Sequence, residues 1–173
     1  MSANTDGSSF VVTPIGYVRG ARPEARDDFW GGAQSRIVLD SDRFGLEAVA
    51  ELDSFSHLEV IFHFHLVVEG SEETGARRPR NNPEWPLAGV FAQRSKRRPN
   101  RLGVTRCRLI RVDGLVLTVE GLDAIDGTPV VDIKPYMREF DPQGEVVQPA
   151  WSHEVMEHYF APHDTTPDVA IPT

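Results

Sequence analysis

The ten residues HLEVIFHFHL, at positions 57–66, constrain the fold more than any other part of the chain. Apolar residues fall on every second position, and the positions between them carry mostly titratable groups. The first set is Leu58, Val60, Phe62, Phe64 and Leu66, and the second is His57, Glu59, Ile61, His63 and His65. Successive side chains of a β-strand point to opposite faces, so this alternation predicts a strand with one apolar and one polar face.

Six other segments are predicted as strands because they are rich in β-branched and aromatic residues or alternate in polarity. They are FVVTPIGYV (10–18), SRIVLD (35–40), LAGVFAQ (87–93), LGVTRCRLIRV (102–112), LVLTVEGL (115–122) and TPVVDIKPY (128–136). Asp113 and Gly114 indicate a tight hairpin between two of them. Helical spacing is confined to a turn or two in 42–55 and to a short helix in 152–160. We therefore predict a mostly β protein, a small barrel of six or seven strands with a few short helices and long loops.

The organisation of the chain is simple. No shift in composition marks a boundary, so we expect a single domain over residues 1–173, with an ordered core at about 10–160 between two tails. No Gly-rich turn joins a strand to a helix, which argues against a Rossmann site or a P-loop. Cys107 is the single cysteine, no apolar run reaches the ~18 residues of a membrane span, and the first residues lack a secretion signal. A cytoplasmic protein is expected.

Positive charge is concentrated in one region of an otherwise acidic chain, whose net charge is −8. Eight basic residues lie between positions 77 and 101, where Glu84 is the only acid. They are Arg77, Arg78, Arg80, Arg94, Lys96, Arg97, Arg98 and Arg101. Such a patch can bind phosphates by releasing counterions, despite the overall sign of the protein. The alternative is that these cations pair with acidic residues of the protein itself.

Two groups of side chains have further chemical content. His63 and His65 share a strand face and can bind a metal if Glu59, His153 or His158 supplies a third ligand, or they simply line a cleft. The segment DAIDGTPVVDIKPY, at 123–136, holds three carboxylates, a lysine and a tyrosine. It reads either as an ordinary turn and strand or as a polar site at a strand end.

Four stretches resemble the TrmO family, also called the TsaA-like or YaeB family, in order and rough spacing. They are PIGYVR, FSHLEVIFHFH, GVFAQRSKRRPNRLG and LDAIDGTPVVDIKPY, and the resemblance runs from Ile15 to about Asp141. It implies a β-barrel methyltransferase that uses S-adenosylmethionine without a Rossmann fold and forms a homodimer. Family members methylate N6 of threonylcarbamoyladenosine at tRNA position 37, so the resemblance implies the tRNA anticodon stem-loop as partner, and no metal.

The resemblance also implies roles for particular residues. The residues expected at the cofactor are Arg26, His65, Leu66, Arg94, Leu102, Val104, Asp123, Ile125, Asp126 and Gly127. Asp132 and Tyr136 belong to the family's signature and are the predicted catalytic residues. Lys96, Arg97, Arg98 and Arg101 are the expected anionic-substrate patch, with the preceding GVFA as a barrel strand.

The sequence departs from the family pattern at several positions. Gln93, Arg101 and Leu102 replace the family's Thr, Pro and Ile, and an early PRQ motif is replaced by residues 25–27. These departures leave two alternatives open: a methyltransferase of a small molecule, or a non-catalytic S-adenosylmethionine-binding module. Methylation of a carbamoylated N6 is helped by removal of its proton. Asp126, Asp132, His65 and Tyr136 are all candidates for that base.

Overall fold

The computed structural model describes residues 10–162. Its strands are β1 (Gly16–Arg19), β2 (Gln34–Leu39), β3 (His57–His63), β4 (Ala76–Arg77), β5 (Ala88–Gly89), β6 (Leu102–Asp113), β7 (Val116–Glu120) and β8 (Pro129–Pro135). One α-helix in this part of the chain, α1 (Ala150–Met156), follows the last strand. Within residues 10–162, no helix has the length and apolarity needed to cross a membrane.

Six strands close into a barrel in the order β1-β2-β7-β6-β3-β8, and all of the pairings are antiparallel. The two-stranded sheet β4-β5 stands apart from the barrel. β6 and β7 form the predicted hairpin, in which Asp113 pairs with Val116 and Gly114 takes a positive φ of 57°. A left-handed backbone is favourable for glycine, and this explains its place in the turn.

The barrel interior is filled by the apolar set of each strand. β3 shows the predicted alternation, with Leu58, Val60 and Phe62 fully buried while the residues between them are partly exposed. Ile37 of β2 and Leu117 of β7 meet them from the other side of the barrel. Burying one such side chain contributes about 1.5–3 kcal/mol, so the three buried residues of β3 together contribute roughly 5–9 kcal/mol.

One end of the barrel gathers the segments that the resemblance singled out. β1, β3 and β7 end there, whereas β2, β6 and β8 begin there. The connections at this end are therefore the loop after β1, the long stretch between β3 and β6, and the loop between β7 and β8. The short segment after α1 reaches the same end, because Trp30 N donates to Tyr159 O just before β2 begins.

The predicted elements differ from the observed ones in three places. The first strand begins at Gly16 rather than Phe10, and β3 ends at His63, so His65 and Leu66 lie in a turn. GVFA is not a barrel strand: only Ala88–Gly89 is extended, and Val90–Ala92 forms a 3-10 turn. Short apolar runs of this kind fit a strand and a buried turn equally well.

The helical turns expected in 42–55 are two 3-10 turns, Leu46–Val49 and Leu52–Ser54, and the short C-terminal helix begins two residues early at Ala150. The mostly β barrel is confirmed. The tail predicted at the N-terminus and nearly all of the one at the C-terminus lie outside the described residues, and the single-domain expectation stays a prediction.

Candidate functional site

The candidate site lies on an edge of β6 that β7 does not cover. β7 ends at Glu120, which pairs with Arg108, so residues 102–107 of β6 pair with β3 alone. A cavity of about 450 Å³ opens along this stretch. Its lining consists of Glu59, Arg94, Val104, Thr105, Arg106, Asp123, Met156, Tyr159 and Phe160. The volume falls in the ~300–1,000 Å³ range of small-molecule sites.

Arg94 is one of the two arginines that line this cavity, the other being Arg106. Its guanidinium donates through Nη2 to the carbonyl oxygen of Val104 at 2.6 Å, which anchors it to the open edge of β6. The side chain is exposed, and its positive charge acts to lower the pKa of Asp123. A guanidinium that is held through one of its own N–H groups keeps the others free to donate to a carboxylate or phosphate.

Asp123 lines the same cavity, as Glu59 does, and two hydroxyls donate to its carboxylate. Thr105 donates to Oδ1, and Tyr159 donates to Oδ2 at 2.5 Å. Burial raises the pKa of Asp123, and the hydrogen bond from Tyr159 and the charge of Arg94 both oppose that rise. Since both hydroxyls donate to it, the carboxylate form fits these contacts, and its negative charge faces the cavity.

The rest of the loop between β7 and β8 is tied to the end of β1. Gly20 N donates to Asp126 Oδ1 at 2.6 Å, and Gly127 N donates to Val18 O at 2.9 Å. Gly127 has a positive φ of 79°, and a side chain placed there would lie 3.8 Å from His65 Nε2. The structure thus brings His65 to one end of the loop whose other end, Asp123, enters the cavity.

The other predicted cofactor residues lie around this end of the barrel without lining the cavity. Ile125 O accepts a hydrogen bond from Thr128 N at 3.2 Å, within the same loop. Leu66 and Leu102 expose 64% and 40% of their surface. Arg26 lies in the loop after β1, where its carbonyl accepts from Arg22 Nη2. These four stay predictions, as do the roles of Arg94, Val104 and Asp123.

The two predicted catalytic residues lie on β8 and just beyond it. Asp132 binds the Lys134 ammonium at 2.6 Å and the backbone N–H of Ile133, with both charged side chains substantially exposed. Tyr136 donates to Asp141, and the Arg106 guanidinium lies 4.7 Å from its ring centre. Neither Asp132 nor Tyr136 lines the cavity, and Arg106 is the residue that connects Tyr136 to it.

The basic patch is engaged in contacts within the protein. Lys96, Arg97 and Arg101 approach Asp27, Glu73 and Glu72 at 3.6, 3.7 and 3.2 Å, and Arg98 donates to the carbonyls of Val90 and Gln93. These ion pairs are the alternative that the sequence left open. The pairs of Lys96 and Arg97 are largely exposed, and such pairs are worth about 0–1 kcal/mol each, so they do not prevent these two cations from meeting phosphates. The pair of Arg101 with Glu72 is more buried, and Arg101 also donates to Val67 O.

The two histidines do not meet the requirement for a metal site. His63 ends β3 and His65 lies in the following turn, so they no longer share a strand face. Burial lowers the pKa of both, and Arg101 lowers that of His63 further. Across residues 10–162, no cluster of three or more His, Cys, Asp or Glu is placed to hold a metal ion.

Sequence reasoning missed the cavity residues that come from other elements. Thr105 and Arg106 sit on β6, where alternation marks them only as strand residues, and Glu59 of β3 was considered only as a third metal ligand. Met156 ends α1, Tyr159 and Phe160 follow it, and all three were assigned to a short helix. The tyrosine hydroxyl near the C-terminus was the available signal, because a buried Tyr hydroxyl needs a partner.

The fold and the site together define a small closed β-barrel protein with a zwitterionic pocket on an open strand edge. The family described as the tRNA-methyltransferase O N-terminal domain matches residues 25–142. The chain belongs to this family.

Individual relatives agree with the family match. A tRNA (adenine(37)-N6)-methyltransferase of Escherichia coli strain K12 is 44% identical over 139 residues, which are 75% of this chain and 59% of that protein. A probable S-adenosyl-L-methionine-binding protein of Methanothermobacter thermautotrophicus is 34% identical over 138 residues, which are 77% of this chain and 94% of that protein. A crystal structure of TrmO from P. aeruginosa superposes with a TM-score of 0.66 at 30% identity, over 83% of this chain and 62% of that one.

The lengths of the relatives differ from that of this chain. The chain spans 59% of the E. coli protein and 25% of a human tRNA (adenine(37)-N6)-methyltransferase to which it is 37% identical. The longer relatives therefore carry regions outside the alignment.

Proposed function

We propose that the chain is an S-adenosylmethionine-dependent methyltransferase that acts on N6 of adenine 37 in tRNA. The observation that carries this proposal is the cavity in which Arg94 and Asp123 stand together on the open edge of β6. Family membership and the names of the E. coli and Methanothermobacter relatives support the same reading.

The residues of the cavity fit the cofactor chemically. S-adenosylmethionine ends in an amino acid, whose carboxylate matches the Arg94 guanidinium and whose ammonium matches the Asp123 carboxylate. The sulfonium supplies an activated methyl group when the cofactor is bound. Tyr159 and Phe160 offer aromatic faces, which attract cations. Val104 and Met156 add apolar surface that excludes water.

The protein's main task in methyl transfer is positioning. An in-line displacement draws on the order of 7–11 kcal/mol from correct alignment of donor and acceptor. The Asp123–Gly127 loop is suited to this task because backbone hydrogen bonds tie it to β1, and Thr105 and Tyr159 fix its first residue.

The contacts rank the candidates for a base that removes the N6 proton. His65 comes first, because burial lowers its pKa and keeps the imidazole neutral at physiological pH. Asp126 already accepts from Gly20 N, and Asp132 is paired with Lys134. The Tyr136 hydroxyl is engaged as hydrogen-bond donor to Asp141. Asp132 and Tyr136 remain proposed catalytic residues. Their contacts with Lys134 and Asp141 must break before either side chain can reach a substrate.

The basic patch is proposed to bind the tRNA anticodon stem-loop. Lys96, Arg97, Arg98 and Arg101 follow Arg94 directly, so bound phosphates would lie next to the cofactor cavity. Exchange of weak surface ion pairs for phosphates is favourable at low salt because counterions are released. We further propose that the protein works as a homodimer, as its family resemblance implies, and in the cytoplasm, as expected from its single cysteine and first residues; sedimentation of the purified protein tests the dimer.

Binding and transfer should be tested separately. In calorimetry, we expect Arg94→Ala to weaken S-adenosylmethionine binding about 10- to 100-fold, since hydrogen bonds to charged groups contribute about 1.5–3 kcal/mol. Arg111→Ala is the matched control, because Arg111 is an exposed arginine paired with Asp113 in the hairpin. Transfer of labelled methyl groups to tRNA from a strain that lacks the endogenous activity then tests the acceptor. Equal binding by both variants contradicts the proposed site.

A second candidate is an S-adenosylmethionine-binding module without catalysis. The observation that favours it is the Methanothermobacter relative, which is named for binding alone and of which the chain covers 94%. Tight cofactor binding with no transfer to tRNA or to small molecules would support this candidate. Transfer to a metabolite would instead support the small-molecule methyltransferase.

A further inference from the structure

The segment after α1 belongs to the cavity although it lies beyond the family match, which ends at residue 142. Phe29 N donates to His158 O at 3.0 Å, and Trp30 N donates to Tyr159 O at 2.9 Å. Gly31 and Pro162 form a parallel bridge. Trp85 Nε1 donates to Glu154 Oε2 at 2.6 Å from the other side. These contacts fix residues 150–162, which we call the C-terminal strap, against the barrel.

Tyr159 is the strap residue that contacts Asp123. Its hydroxyl donates a hydrogen bond to one carboxylate oxygen of Asp123, while the Thr105 hydroxyl donates to the other. One hydroxyl belongs to the barrel and the other to the strap, so the orientation of Asp123 depends on both. Tyr159 also packs edge-on against Phe160, at 5.0 Å between ring centres, and this contact restrains its ring.

We propose that Tyr159 is a positioning residue that sets Asp123 for the ammonium end of the cofactor, and that the C-terminal strap is thereby an integral wall of the cofactor site. This inference rests on the proposed function. A carboxylate oxygen that already accepts one hydroxyl retains a lone pair for a ligand N–H. The Tyr159 hydroxyl therefore orients the carboxylate and still leaves it able to accept a hydrogen bond from the cofactor.

The charges around Asp123 determine how this role is measured. Arg94 and Arg22 are the cations that act on it, Glu59 and Arg106 line the same cavity, and Tyr159 and Cys107 are the titratable neighbours. Burial raises the pKa of Asp123 and the Tyr159 hydroxyl opposes the rise. Removal of that hydroxyl raises the pKa further. Cofactor binding by the variant should then be lost at a higher pH on acidification than in the wild type.

The experiment compares Tyr159→Phe with Tyr17→Phe by calorimetry with S-adenosylmethionine over a range of pH. Tyr17 is an exposed tyrosine on β1, so its variant controls for loss of a hydroxyl as such. We expect about tenfold weaker binding for Tyr159→Phe. The acid limb, which is the fall in affinity on acidification, should move to higher pH in this variant, and Tyr17→Phe should show no change. Thr105→Val removes the other hydroxyl, leaves the strap intact and should move the limb in the same direction.

A double-mutant cycle tests whether Tyr159 acts through Asp123. In an Asp123→Asn background, Tyr159→Phe should have no further effect on the affinity. Additive losses, a uniform loss at every pH, unchanged binding or tighter binding of Tyr159→Phe would each overturn the inference. If Asp123→Asn binds the cofactor too weakly to measure, the shift of the acid limb in Tyr159→Phe decides whether Tyr159 acts through Asp123. Failure of the wild type to bind the cofactor refutes the proposed function, and is thereby distinguished from failure of the inference.

Discussion

Substitution of Gly31 by alanine should release the C-terminal strap. A Cβ at this position would lie 2.8 Å from the carbonyl carbon of Phe160 and closer still to its oxygen. Carbon atoms pack at about 3.5–4.0 Å, so the strap has to move outward by about 1 Å. The main-chain bonds from Phe29 N to His158 O and from Trp30 N to Tyr159 O cannot both survive such a shift.

The size of the effect follows from those two hydrogen bonds. Each contributes a net 0.5–1.5 kcal/mol, so their loss costs about 1–3 kcal/mol. Because the strap lies outside the barrel strands, the cost should appear mainly as local opening. The open fraction of the strap should rise about 5- to 150-fold, since 1.4 kcal/mol corresponds to a factor of ten.

Hydrogen exchange and proteolysis measure this opening. The amides of Phe29 and Trp30 should exchange faster by the same factor, and chymotrypsin should cut sooner at Tyr159 and Phe160. Gly75→Ala is the control, because a Cβ there meets nothing within 4 Å. If amide exchange and chymotrypsin cleavage are as slow in Gly31→Ala as in Gly75→Ala, the docking of the strap is refuted.

Two further predictions concern the titration and reactivity of single groups. Burial lowers the pKa of His63 and His65 in the folded chain, so their contribution to stability is present above pH ~6.5 and lost as the pH falls through the folded pKa. Melting temperatures from pH 7.5 to 5 should therefore fall less in a His63→Gln, His65→Gln variant than in the wild type, and an equally steep fall would contradict this. Burial, with the charge of Asp123, raises the pKa of the Cys107 thiol to about 12, so iodoacetamide at pH 8 should label it only after denaturation. Rapid labelling of the native protein would show that Cys107 is not buried.

The barrel could be predicted from the sequence because its signals are local. The alternation in 57–63 and the turn at Gly114 fix which faces are buried and where the chain reverses. Val90–Ala92 was misjudged because an apolar run has no period that separates a strand from a turn. Its conformation is set by contacts such as the hydrogen bond from Val90 N to Gly75 O, between residues that are not adjacent in sequence.

The site was only partly accessible from the sequence. Arg94, Val104 and Asp123 were selected through the family resemblance, and the structure brings these three to one cavity. Tyr159 was not selected, because its partner Asp123 lies 36 positions earlier in the chain and no local pattern joins them. Ion pairing of the basic patch was an open alternative, but its partners could not be named, since Asp27, Glu72 and Glu73 lie on loops distant in sequence from the cations that they meet.

A crystal structure with bound S-adenosylmethionine tests the central claim most directly. The account predicts the amino-acid end of the cofactor between the Arg94 guanidinium and the Asp123 carboxylate, beside the open edge of β6 and under Tyr159. A cofactor bound elsewhere, with the cavity between Arg94 and Asp123 holding only water, would contradict it.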